Sequence, residues 1–172
     1  MKAFKISLVF FLGFFSVLCY SQEVDTTTVV QLGQIVPDFK VETVDGENIR
    51  ISDLKGKVVL LNLFATGCGY CLAELPELQK TILPKFQDKD YFQLSIGREH
   101  TKEELLKFLK EKELTIPMAP DPERKIYSLF AKMYIPRNIV IGKDGKIAYL
   151  DMGFSEEKSE ALIQAIEEQM KL

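Results

Sequence analysis

Cys68 and Cys71, in "FATGCGYCLAELP", are the residues whose type and spacing could do chemistry. Three uses of a C-x-x-C pair compete. A structural staple gains most when it closes a long loop, and this pair closes almost none. Structural zinc takes four ligands, whereas the chain beyond its first 21 residues offers these two thiols and one histidine, His100, far along in a charged, turn-like stretch. A histidine there reads as solvated and not as a ligand. Redox chemistry remains: a pair able to form and break a disulfide at little cost in chain entropy.

The elements around the pair favour that chemistry. "KVVLLNLFA" is a continuous apolar run of strand length, which suits a strand buried on both faces. A helical pattern with Leu72, Leu75, Leu78 and Gln79 at helical spacing follows, opening at or just after Cys68 and carrying Pro76 inside it. A helix N-terminus presents unpaired N–H groups and roughly half a positive charge. Both favour a thiolate, so the Cys68 pKa is expected below the free value of about 8.5. Cys68 is then the exposed nucleophile, and Cys71, one turn in, the buried resolving thiol. Glu74 lies a further turn along, where a partly buried carboxyl could take the Cys71 proton; a plain first-turn acid complementing the helix dipole is the competing reading.

The remaining chain reads as a single domain. Residues 1–21 have the form of a secretory signal: Lys2 and Lys5, a 13-residue apolar core from Ile6 to Leu18, then Cys19-Tyr20-Ser21 as a cleavage site before Gln22. An uncleaved anchor is the alternative. Removing those residues from 172 leaves 151, enough for one core. It takes two lysines and no acids, so the net charge goes from −3 to −5. An acidic chain without a basic cluster gives no electrostatic reason to bind nucleic acid or anionic lipid. Membrane contact is expected only through a partner or an uncleaved signal. A 47% apolar composition with 12 Phe argues against disorder.

Residues 22–33 are polar and β-branched and read as an arm or tether. Alternation of Phe39/Val41 and Ile49/Ile51 about Asp45-Gly46 predicts a hairpin. "YFQLSI" predicts a strand, and Thr101 with Glu104 a capping box ahead of Leu105, Phe108 and Leu109. Asp121-Pro122 predicts the start of a helix with Ile126, Leu129, Phe130 and Met133 inward. A hairpin about Asp144-Gly145 and a Ser155-capped helix with Leu162, Ala165, Ile166 and Met170 on one stripe end the chain. This order predicts an α/β domain with a mixed sheet covered on both faces.

"PDF", the Asp-Gly before "ISDLKGKVVLLNLFATGCGYC", "ELPEL" and "YIPRNIVIGKDGKI" occur in the order seen in exported TlpA/ResA-like thiol–disulfide oxidoreductases of the thioredoxin superfamily. The chain resembles that family over residues 33–171. The resemblance implies a thioredoxin-like three-layer α/β/α sandwich with an N-terminal β-hairpin extension, in a domain spanning 34–172. It implies a cis Ile135-Pro136 bond against the C-x-x-C pair, exposing the Ile135 backbone to pair with substrate and keeping metal away. It also implies that a glutamate at the Glu74 spacing tunes the pair. Cytoplasmic thioredoxins are implied to use an aspartate six residues before the first cysteine, where this chain has Asn62. No cofactor is implied beyond the redox-active Cys68–Cys71 disulfide, and no metal. Implied partners are disulfide-containing exported proteins, apocytochromes c among them, in the periplasm or an equivalent extracytoplasmic space. A membrane thiol transducer of the CcdA/DsbD type would supply electrons.

Three departures from the family pattern fall at the site. Gly67 replaces the usual tryptophan, which should leave Cys68 more open. Gly69-Tyr70 replaces Gly-Pro, so the redox potential does not carry over. Arg137 replaces the threonine after the cis-proline. Gly69, Tyr70, Ile135 and Arg137 are the expected substrate contacts, with Arg137 lowering the Cys68 pKa further or selecting an acidic partner. Two other functions remain open. A peroxiredoxin-type thiol peroxidase wants a proline and a threonine seven and three residues before its cysteine, where Leu61 and Ala65 stand. A copper or thiol carrier could use the two thiolates, although no methionine or histidine neighbours them in sequence.

Overall fold

The computed structural model describes residues 25–87 and 89–172. The signal-like segment 1–21 lies outside the described residues, as do residues 22–24 of the arm. Strand β3 (Val58–Phe64) is the centre of the molecule, and every one of its residues is buried. It is the apolar run of the sequence, and burial on both faces explains why it does not alternate. To one side it pairs in parallel with β4 (Tyr91–Arg98), which pairs in parallel with β5 (Met118–Asp121). To the other it pairs antiparallel with β6 (Arg137–Ile141), which forms a hairpin with β7 (Ile147–Met152). The order β5-β4-β3-β6-β7 is the expected mixed sheet.

One face of the sheet is covered by three helical segments. The first is α1 (Gly69–Glu77), which runs through a π turn (Leu78–Ile82) into α2 (Leu83–Phe86). The π turn follows Pro76, as expected where a proline removes a helical hydrogen bond. The inward stripe is Cys71, Glu74, Leu75, Leu78 and Ile82; of the expected set Leu75 and Leu78 lie in it, Leu72 packs at its margin and Gln79 lies outside it. Gln79 instead pins the chain after the next helix through Thr115 N–H and the Glu113 carbonyl. That helix, α3 (Lys102–Lys112), carries the complete Thr101/Glu104 capping box, and α5 (Glu156–Lys171) begins at Ser155, whose hydroxyl accepts from Lys158 N–H.

The other face is covered mainly by the hairpin of β1 (Lys40–Glu42) and β2 (Asn48–Arg50), by the arm, and by one turn of helix, α4 (Tyr127–Phe130). The arm is docked and not a free tether. Val30 is buried, and backbone bonds tie Val29 to Phe130, Thr27 to Lys132 and Gly33 to Ile147.

The segment around Asp121 departs from expectation. Met118–Asp121 is an edge strand, a position that tolerates Pro120. Asp121 ends it, and its carboxylate accepts from Ile126 N–H at 3.1 Å and Tyr127 N–H at 2.8 Å. Arg124, at φ +58, prevents a helix from starting at Pro122, so only one turn forms and Met133 is exposed. Asp121→Ala should lower stability by about 1–2 kcal/mol through loss of this cap. Urea unfolding of the variant checks it; an unchanged midpoint would mean that the cap contributes nothing.

Candidate active site

The cysteines stand where β3 hands over to α1. Cys68 is the N-cap residue of α1, and its Sγ accepts from Cys71 N–H at 3.2 Å. The amide of the third helical residue therefore points at the sulfur, one of the N–H groups that have no carbonyl partner within the helix. The two cysteines are joined as a disulfide. Cys68 is half-buried and Cys71 fully buried. Gly67 and Gly69 flank Cys68 with open space around them, and Tyr70, 66% exposed, projects from the first turn.

Ile135-Pro136 is cis and lies against the pair: Cys68 Sγ is 3.7 Å from the Ile135 carbonyl oxygen. Pro136 is buried and Ile135 half-buried, immediately before β6. The exposed side chains of Met133 and Tyr134 precede them.

Glu74 is buried beneath the pair, on the stripe of α1 that carries Cys71. Two amides hold its carboxylate. Asn62 Nδ2 donates to Oε2 at 2.8 Å and Asn138 Nδ2 to Oε1 at 2.5 Å, and Asn62 also donates to Asn138 Oδ1 at 2.9 Å. Asn62 and Asn138 are direct cross-strand partners on β3 and β6, which puts both amides on the same face under α1. Loss of hydration on burial raises the Glu74 pKa to about 7; the two amide bonds act in the opposite direction but do not cancel it. This is a buried carboxyl with a pKa raised toward neutrality, not a solvated first-turn acid. Asn62, which stands at the expected aspartate position and cannot itself exchange a proton, is thus a hydrogen-bond partner of the Glu74 carboxyl.

Asn138 was missed by sequence reasoning. Its signal was a polar residue two after Pro136 in the otherwise apolar strand "NIVI", at a position facing Asn62 only once the β3–β6 register is known.

Arg137 does not face the thiols. Alternation along β6 puts it on the sheet face opposite Asn138 and Glu74. It is 4% exposed and bound to the arm and the preceding loop, so its charge is turned away from the thiols and from any docking protein.

His100 also departs from expectation. It is buried enough to act structurally, and its Nε2 accepts from Thr66 N–H at 3.0 Å, in the loop leading to Cys68. The parallel register places Phe64 beside Gly97, so the loops leaving β3 and β4 must meet. Among the described residues, no group of three or more His, Cys, Asp or Glu side chains is gathered as a metal site.

A disulfide at a helix head, a cis-proline loop against it and a five-stranded mixed sheet beneath define a dithiol protein of thioredoxin fold. Residues 32–150 match the profile of the AhpC/TSA family. A thiol-disulfide oxidoreductase ResA of Bacillus cereus is 31% identical over 138 residues, covering 80% of this chain and 79% of that protein. The solution structure of a candidate protein disulfide isomerase from Bacteroides thetaiotaomicron is 34% identical with a TM-score of 0.81, covering 85% of this chain and 94% of that one. The exposed lipoprotein thioredoxin of Streptococcus pneumoniae is 30% identical with a TM-score of 0.65, over 77% and 99%. The chain belongs to the AhpC/TSA family and, within it, to the ResA-like thiol–disulfide oxidoreductases: it is a protein-disulfide oxidoreductase.

The buried carboxyl has a consequence for stability. Below the ordinary value of 4.5 Glu74 is protonated both folded and unfolded, and above about 7 it is ionised in both. Between those limits only the unfolded chain releases the proton, so stability falls as pH rises. The wild type should lose about 3 kcal/mol more than Glu74→Gln between pH 4.5 and 7.5. Urea unfolding of both oxidised proteins across that range tests it; parallel pH profiles would contradict a raised Glu74 pKa.

Proposed function

We propose that the protein reduces disulfides of exported proteins in an extracytoplasmic space, with Cys68 as nucleophile, Cys71 as resolving thiol and Glu74 as proton acceptor. The observation that carries this reading is the disposition of the three groups. Cys68 is the accessible sulfur and receives an amide N–H, Cys71 is sealed in the core, and a carboxyl with a pKa near 7 lies one turn beyond it.

The cycle balances with those groups alone and uses no further cofactor. The Cys68 thiolate attacks one sulfur of the substrate disulfide. The substrate S–S bond breaks, a mixed disulfide forms, and the first substrate sulfur leaves as a thiolate that takes a proton from water. Cys71 gives its proton to the Glu74 carboxylate and attacks Cys68 Sγ. The mixed disulfide breaks, the second substrate thiolate departs, and the Cys68–Cys71 disulfide forms. Two electrons have passed from the dithiol to the substrate. The Ile135 backbone beside Cys68, together with Gly69 and Tyr70 of the cysteine turn, receives the substrate chain.

The signal-like first 21 residues support an extracytoplasmic location, as does the similarity to an exposed pneumococcal lipoprotein. An oxidising space does not regenerate a dithiol, so the reading includes a membrane thiol transducer of the CcdA/DsbD type as donor. Apocytochromes c are one substrate class consistent with the ResA similarity. Among the described residues no helix is long and apolar enough to cross a membrane. Peroxide reduction is not favoured, since Leu61 and Ala65 occupy positions where that chemistry wants proline and threonine.

Trapping tests the assignment of the thiols. Cys71→Ala, expressed in the exporting cell, should accumulate mixed disulfides through Cys68, and Cys68→Ala should accumulate none. Equal trapping by both variants would refute the order of attack.

A further inference from the structure

Arg137 is a buried cation whose partners come from two separate segments. Its Nη1 donates to Thr28 Oγ1 and its Nη2 to Thr27 Oγ1, both at 2.7 Å, in the N-terminal arm. Its Nη2 also donates to the Met133 carbonyl at 2.7 Å, and its Nε to the Met133 and Tyr134 carbonyls at 3.1 and 3.2 Å. Asp25 completes the arm side. It accepts from both threonine hydroxyls, and its Oδ2 is 4.0 Å from Nη1. The planar guanidinium fork is thus filled on one edge by the arm and on the other by the loop.

That loop holds the substrate-facing backbone. Tyr134 has φ +67, a left-handed conformation unfavourable for a tyrosine, and needs outside support. Its carbonyl receives Arg137 Nε and Tyr127 O–H. The next residue is Ile135, whose carbonyl faces Cys68. Among the described residues, the start of the arm is held before Val30 by polar contacts and backbone pairing. A cavity of about 710 Å³ opens beside it, with Asp25, Thr28 and Arg137 among its lining, and the first apolar residue of the arm to enter the core is Val30. The bonds to Arg137 and the backbone bonds to Phe130 and Lys132 carry the attachment.

We propose that Arg137 is a positioning residue: by clamping the N-terminal arm to the Met133–Tyr134 carbonyls it fixes the Ile135 backbone in the conformation that receives a substrate polypeptide. This rests on the proposed reduction of protein disulfides. The arm then serves the site without touching it. Loosening it weakens recognition of a polypeptide and leaves the sulfur chemistry alone, because Arg137 and the thiols lie on opposite sides of β6.

The test uses Thr27→Val/Thr28→Val, which keeps shape and removes both hydroxyls, and Thr27→Ser/Thr28→Ser, which restores them. Pre-reduced full-length protein is mixed with insulin at increasing concentration, and oxidation is followed by quenching and thiol counting. For the valine variant, which removes both hydroxyl acceptors of the guanidinium, the half-saturating insulin concentration should rise about tenfold or more, with the maximal rate little changed. The serine variant should match the wild type. Oxidation by glutathione disulfide, and the potential of the Cys68–Cys71 couple, should be the same in all three. A valine variant that melts earlier but keeps the wild-type half-saturation would reduce Arg137 to a stabilising residue and overturn the proposal. Altered glutathione kinetics would overturn it too, by showing that the clamp acts on the thiols. Failure of the wild type itself to react with insulin would instead count against the proposed function.

Discussion

The hydrogen bond from Cys71 N–H to Cys68 Sγ is the contact on which the site depends. It exists because β3 ends in the core and the chain turns directly into α1, leaving the first helical amides without carbonyl partners. A sulfur at that point is the natural acceptor, and an anionic sulfur a better one. The same turn makes the two cysteines unequal. One caps the helix at the surface, and the other lies one turn inside it among Leu75, Leu78 and Phe64.

Inequality in the thiols creates a second requirement, which the sheet meets. A buried thiol resolves a mixed disulfide only if its proton has somewhere to go. The acceptor must be buried too, and a buried carboxylate is costly unless its oxygens are bonded. Asn62 and Asn138 supply those bonds from adjacent strands. Neutral amides stabilise the anion without offsetting all of its lost hydration, which is why the Glu74 pKa settles near 7 and not near 4.5. A lysine or arginine in either place would have held the carboxylate ionised at every relevant pH.

Much of this was legible in the sequence because it is local. The unbroken apolar run from Val58 to Phe64, the Thr101/Glu104 box, the Asp45-Gly46 and Asp144-Gly145 turns and the Ser155 cap each follow from residues close together in the chain. The cysteine pair and the cis-proline were legible as motifs. What was not legible depends on register. Asn138 faces Glu74, and Arg137 faces away, because of a one-residue alternation on β6 whose phase an all-buried strand does not reveal. His100 meets Thr66 because β3 and β4 run in parallel and end together. The segment after β5 misled for another reason: Asp121-Pro122 has the composition of a helix start, but the aspartate caps amides five and six residues on.

The central claim is that peptide N–H groups at the head of α1 hold Cys68 as a thiolate near neutrality. Its direct measurement is the rate of iodoacetamide alkylation of the reduced protein against pH, with modified cysteines located by mass spectrometry. Cys68 should react first, along a titration curve centred below the value of about 8.5 for free cysteine. Reaction at both cysteines with the pH profile of free cysteine would contradict the account.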